Sequence, residues 1–205
     1  MTPPADDPAS PAPASLHLTG DADADALLAA DANALLVGMV LDQQVPMEKA
    51  FRGPAVIASR MGGGFDVAAI AAMPEDDFVA LCATPPAVHR FPAAMARRVQ
   101  QVCRVLLESY DGDATSLYAA AGTGGELKAA LSRLPGIGEQ KAAIFTALLG
   151  KQRGVTPPGW REAAGAFGEE GSFRSVADVV DTASLRQVRD AKKAAKAAAR
   201  TDADG

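Results

Sequence analysis

Aromatic residues make up only 5% of the 205-residue sequence, with a single tryptophan. Strands draw on aromatic and β-branched side chains, so this scarcity argues against a sheet-built core. The two cysteines, Cys82 and Cys103, are too few for a disulfide scaffold. They are equally too few for a four-cysteine zinc or iron–sulfur site, so no cofactor or metal is expected. No apolar run approaches the roughly 18 residues that suggest a membrane span. A basic segment followed by an apolar one is missing at the N-terminus, so no signal peptide is expected. A cytoplasmic location and no membrane partner are the resulting expectations.

Alanine is abundant, at 45 residues, and hydrophobic residues total 48%. An Ala- and Leu-rich composition suits closely packed helices. The formal net charge of −5 hides a gradient. Residues 1–31 carry six acids (Asp6, Asp7, Asp21, Asp23, Asp25, Asp31) and no Lys or Arg. Residues 86–153 carry nine bases against five acids, and residues 186–200 six bases against one acid. The acidic total argues weakly against phosphate binding, and the two basic stretches argue for it.

Residues 1–14 hold five of the 14 prolines and read as a disordered tail. Residues 15–200 read as one helical domain of two lobes, all-α and built of many short helices. Ala34 to Leu41 is apolar except for Gly38, which marks a buried helix. It ends in Asp42-Gln43-Gln44. Residues 92–110 form an amphipathic helix, with Val99, Val102, Cys103 and Leu106 inside and Arg97, Arg98, Gln101 and Arg104 outside. Leu127, Ala130, Leu131 and Leu134 repeat that period, and Lys141, Ile144, Phe145 and Leu148 begin it again. Lys151 to Gly154 reads as a basic loop. Helices are expected at 160–166 and at about 182–200.

Between two of these helices stands Leu134-Pro135-Gly136-Ile137-Gly138. Two glycines around one apolar residue allow a sharp reversal and close backbone approach. The helix that follows then opens with free backbone N–H groups, which can bind a phosphate without a charged side chain. Ile137 plugs the turn into the core, and Lys141, Lys151 and Arg153 add positive charge nearby. The same pentapeptide also suits a plain helix connection with no ligand.

The stretch from about 92 to 150 resembles the helix-hairpin-helix (HhH-GPD) DNA glycosylase superfamily, endonuclease III-like. The matching parts are a basic helix, a Gly-containing stop at Asp111-Gly112-Asp113, a helix, the L-P-G-[IV]-G hairpin, and a second helix. Upstream, Leu41-Asp42-Gln43-Gln44-Val45 is similar to the family's L-x-x-Q segment. The resemblance covers residues 32–165. It implies an all-α fold, base flipping, and excision of a damaged or mismatched base by cleavage of its N-glycosidic bond. The implied partner is double-stranded DNA bearing a base lesion or mismatch, bound by a monomer in the nucleoid. Leu134, Gly136, Ile137, Gly138, Gln140 and Lys141 would form the DNA-binding hairpin, and Gln43 and Gln44 would contact the base or fill the gap it leaves.

The sequence departs from the family at the catalytic carboxylate. The family's V-D-T-H pattern falls about 18–20 residues beyond Gln140, where this chain reads Val155-Thr156-Pro157-Pro158-Gly159-Trp160. Asp42 and Glu162 are the leading substitute candidates, with Glu169 and Glu170 further along the chain in a loop that the sequence does not place. Asp42 could instead cap a helix and Glu162 could face solvent. Members with lyase activity carry the Schiff-base lysine where this chain has Gln140, so the resemblance implies a monofunctional enzyme. One residue rotates a helix by about 100°, so Lys141 is expected to point elsewhere. Without a catalytic carboxylate the chain would be a non-catalytic DNA-binding protein on the same fold. His89-Arg90-Phe91 could insert at DNA or pack locally, Trp160 could stack on a base or serve the core, and the terminal run from Arg189 to Arg200 could track phosphates or be a solvated face.

Overall fold

Asp21 and Asp31 each place a carboxylate on the free N–H groups of a following helix. This starts α1 (Ala22–Ala30) and α2 (Ala32–Leu41). The computed structural model describes residues 15–201, and the expected tail at 1–14 lies outside them. Nine further helices follow among the described residues: α3 (Met47–Arg60), α4 (Val67–Ala72), α5 (Glu75–Ala83), α6 (Pro92–Tyr110), α7 (Ala114–Ala119), α8 (Gly124–Ser132), α9 (Glu139–Gln152), α10 (Trp160–Ala164) and α11 (Thr182–Thr201). Short 3-10 turns lie at Gly165–Phe167 and Val176–Asp178. No strand occurs among the described residues, and the fold is all-α as expected. No single described helix is long and apolar enough to cross a membrane.

The centre is α2, whose residues Ala34 to Leu41 are all buried. It packs closely on α3 because two glycines let it. A Cβ on Gly38 would lie 2.6 Å from the Phe51 ring, and one on Gly53 would lie 2.4 Å from Leu41. The amphipathic reading of α6 holds for Val99, Val102, Cys103 and Leu106, all fully buried. Gln100 is buried too, and its amide donates to the carbonyls of Ile70 and Met73 beneath α4. Both cysteines are core residues, and burial pushes their thiols up to about 12.

A second group of helices forms around α9. α8 starts with a capping box, Thr123 accepting from Glu126 N–H while the Glu126 carboxylate accepts from Thr123 N–H. α10 closes the far end of the α8–α9 pair. The Trp160 ring lies where a Cβ on Gly150 would be, and its backbone lies against Gly124. One continuous apolar core runs through both groups.

Asp25 accepts from Leu18 and Thr19 N–H, and Leu16 and Leu18 are buried. One reading of charge is corrected here. Lys151 and Gln152 belong to α9 and not to a basic loop. Lys151 reaches Asp178 at 2.6 Å, with side-chain exposures of 14% and 3%, and so ties the 176–178 turn to the end of α9. Asp178 also accepts from Ser172, Arg174 N–H and Ser175 N–H. Removing one partner of so buried a pair leaves an uncompensated charge. Lys151→Met should therefore lose roughly 3 kcal/mol in urea unfolding. A loss below about 0.5 kcal/mol would show the pair to behave as a solvent-screened one.

Candidate nucleic-acid interface and carboxylate site

Leu134 to Ile137 is a tight turn with proline second and glycine third, closed by Ile137 N–H on the Leu134 carbonyl at 3.1 Å. Gly136 has φ +83°, which the third position of a type II turn requires. Leu134 and Ile137 are buried and pin the turn into the core. Gly138 precedes α9 with no side-chain cap, and Gln140 is exposed at the first turn. The only acid in that turn, Glu139, is paired with Lys128 at 3.3 Å. The first-turn N–H groups of α9 thus have no intrahelical acceptor, the arrangement an oxyanion can occupy.

Lys141 points elsewhere than exposed Gln140, inward to α2. Its ammonium donates to the carbonyls of Met39 and Val40, at 3.0 and 2.9 Å, at the end of α2. There it meets the negative end of the α2 dipole and the carboxylate of Asp42. Burial nevertheless lowers its pKa to about 8, Asp42 opposing that shift and Arg98 adding to it. Lys151 and Arg153, expected near the hairpin, lie at the other end of α9, where Arg153 donates to the Ala29 carbonyl.

Asp42 ends α2 and is half-buried, and Gln43 and Gln44 make the turn into α3. Gln44 adopts φ +56° and is exposed. Gln43 is held from two sides. Its side-chain oxygen accepts from the Arg98 guanidinium at 2.9 Å. Its backbone carbonyl lies 2.8 Å from His89 Nε2. Phe91 N–H donates to His89 Nδ1, so Nε2 carries the proton and donates to Gln43. His89 is buried, and desolvation holds its pKa below the ordinary value, which keeps the ring neutral at neutral pH. Next to it Phe91 is 45% exposed, with the Arg90 guanidinium stacked on its ring.

Arg98 is the residue the sequence reading missed. It was assigned only to the outer face of α6, yet it lies across the hairpin. A Cβ on Gly136 would sit 2.1 Å from Arg98 Cδ. Gly136 is therefore needed twice, for its positive φ and for the space Arg98 takes.

A cavity of about 340 Å³ opens beside Asp42, lined by Val45, Pro46, Met47, Glu48, Val188 and Arg189. A second of about 470 Å³ shares Pro46, Glu48 and Arg189 with it and extends along α3 to Pro86-Ala87-Val88. Both sizes fall within the range of small-molecule sites, about 300–1,000 Å³.

The structure does not bring Glu162 to this region. It is exposed on α10, at the end of the α8–α9 pair opposite the hairpin. The Val155–Trp160 stretch lies there too, with Gly124 N–H on the Pro158 carbonyl at 2.8 Å. Trp160 serves packing, beneath the Arg161 guanidinium. A Val-Asp-Thr triplet absent near residue 155 does occur at Val180-Asp181-Thr182. Asp181 caps α11, and hydrogen bonds from Ser184 N–H and Oγ hold its carboxyl below the ordinary value. It stands about 10 Å back along α11 from Val188, on the rise of 1.5 Å per residue. The triplet itself was the signal for it.

The lowered pKa of Lys141 makes a stability prediction. An unfolded chain holds this proton to the ordinary 10.5, whereas the folded chain releases it from about 8. Between those values the unfolded state binds more protons, so the contribution of Lys141 to stability rises with pH. The parent chain should thus gain stability relative to Lys141→Met as pH goes from 8 to 10. Parallel pH profiles in urea melts would show that the ammonium is not desolvated.

A family model described as HhH-GPD superfamily base excision DNA repair protein matches residues 37–202. No curated protein and no solved structure matches the chain. The match begins within buried α2 and takes in the Gln43-Gln44 turn, the hairpin and all of α11, so the chain belongs to the HhH-GPD superfamily of base excision DNA repair proteins.

Proposed function

We propose that this chain is a monofunctional DNA glycosylase that acts as a monomer on duplexes carrying a damaged or mismatched base. The observation that carries this reading is the half-buried carboxylate of Asp42, on the wall of a cavity and beside the lysine that joins the hairpin helix to α2. The hairpin N–H groups hold a backbone phosphate, and the base swings out of the stack into the cavity. Breaking the N-glycosidic bond leaves an oxocarbenium-like sugar, which a nearby anion stabilises. Asp42 supplies that anion and orients the attacking water. Gln43 is held by Arg98 and His89, so exposed Gln44 is the one that reaches the base edge or fills the vacated space. Hydrolysis without lyase chemistry rests on Gln140, which cannot form a Schiff base, and on Lys141, whose ammonium is engaged by two carbonyls.

A second reading, a DNA-binding protein with no excision activity, is favoured by the lack of a carboxylate in Val155–Trp160. One experiment separates the two. Duplexes carrying uracil, an alkylpurine, 8-oxoguanine or deoxyinosine are incubated with the protein and then heated in alkali. Release of one of these bases is expected, with Asp42→Asn about 10²–10³-fold slower and still bound to DNA. Full activity in Asp42→Asn with loss in Asp181→Asn would transfer the role to α11, and loss in Glu162→Gln alone would transfer it to α10. No release from any duplex, with binding intact, would establish the second reading. Borohydride trapping of the protein on DNA would end the monofunctional assignment.

A further inference from the structure

α11 is docked by one edge only. Leu185 and Val188 are buried, whereas Arg186, Arg189 and Lys193 are exposed. Those three follow one another at i, i+3 and i+7 and so form a single stripe along the helix. In sequence the spacing continues through Lys196 and Arg200. The lone acid between residues 186 and 200 is Asp190. Three exposed cations off this helix have acidic partners, Arg97 with Glu75, Arg161 with Glu170 and Arg174 with Glu169. Among the described residues neither Arg186 nor Lys193 is ion-paired. Asp190 stands beside the stripe, and with six bases against this one acid residues 186–200 keep a net charge of +5.

The stripe also has a definite place. Arg189 pairs with Glu48, and both line the cavity beside Asp42, whose wall includes Val188. The carboxylate therefore stands between two cationic elements, Lys141 and Arg98 on the hairpin side and α11 on the other. We infer that α11 is a second DNA-binding element, a helix whose basic stripe tracks the backbone phosphates flanking the nucleotide that enters the Asp42 cavity. This rests on the function proposed above. From Arg186 to Lys193 the stripe covers about 10 Å at 1.5 Å per residue. That is about three phosphates of one strand at 3.4 Å apart.

Salt dependence tests it on the full chain. Affinity for undamaged and lesion-bearing duplexes is measured from 50 to 200 mM salt for the parent chain, for Arg186→Gln with Lys193→Gln, and for Arg161→Gln with Arg174→Gln. The second variant makes the same charge change at the opposite end of α9, and the first leaves the Arg189–Glu48 pair in place. Each lost phosphate contact lowers the slope of log affinity against log salt by about 0.9. The α11 variant should lose about 1.8 and bind both duplexes more weakly by the same factor, while the α10-side variant keeps the parental slope. An unchanged slope in the α11 variant, or equal losses in both variants, would overturn the inference and leave the proposed function standing. Failure of the parent chain to bind either duplex would overturn both.

Discussion

The ammonium of Lys141 on the last carbonyls of α2 joins the hairpin to the helix end that carries Asp42. α2 is buried along almost its whole length, so its position is fixed by the core. The hairpin is a surface feature whose N–H groups need to face outward. Lys141 lies in the first turn after the hairpin and binds the end of α2 directly, so the spacing between hairpin and Asp42 does not depend on loops. Arg98 makes a second tie by spanning Gly136 and Gln43 from a third helix. Burying a lysine is costly, and the cost here is offset by two carbonyls, a helix dipole and the charge of Asp42.

The hairpin was legible because its chemistry is local. Pro135 followed by Gly136 dictates a turn, and flanking apolar residues at helical spacing dictate the helices on either side. The burial of α2 was legible for the same reason, since eight nearly uninterrupted apolar residues admit no other place. Lys141 and Arg98 were not. Arg98 lies on the outward face of α6 and Lys141 begins the inward period of α9, and each finds a partner 55 or more residues away in sequence. No period in the sequence encodes such a meeting. The acids at 21 and 31 show a different failure. Asp before an apolar helical stretch is a capping signal, but summing charge over residues 1–31 concealed it.

Those caps change the meaning of the net charge. Carboxylates at Asp21, Asp25 and Asp31 accept local backbone N–H groups, and Asp178 is neutralised by Lys151. The surface around the cavity carries Lys49, Arg52 and Arg189 against Glu48 and Asp42. A protein of net charge −5 thus carries a slight excess of positive charge around these cavities.

The lone tryptophan has a consequence for how this molecule is observed. Trp160 lies over Gly150 beneath Arg161, at the end of α9 remote from the hairpin. Its indole environment is set by the joining of α8, α9 and α10 and by nothing at the cavity. Intrinsic fluorescence of this protein is therefore a gauge of folding in that corner, and it is silent to occupancy of the Asp42 site.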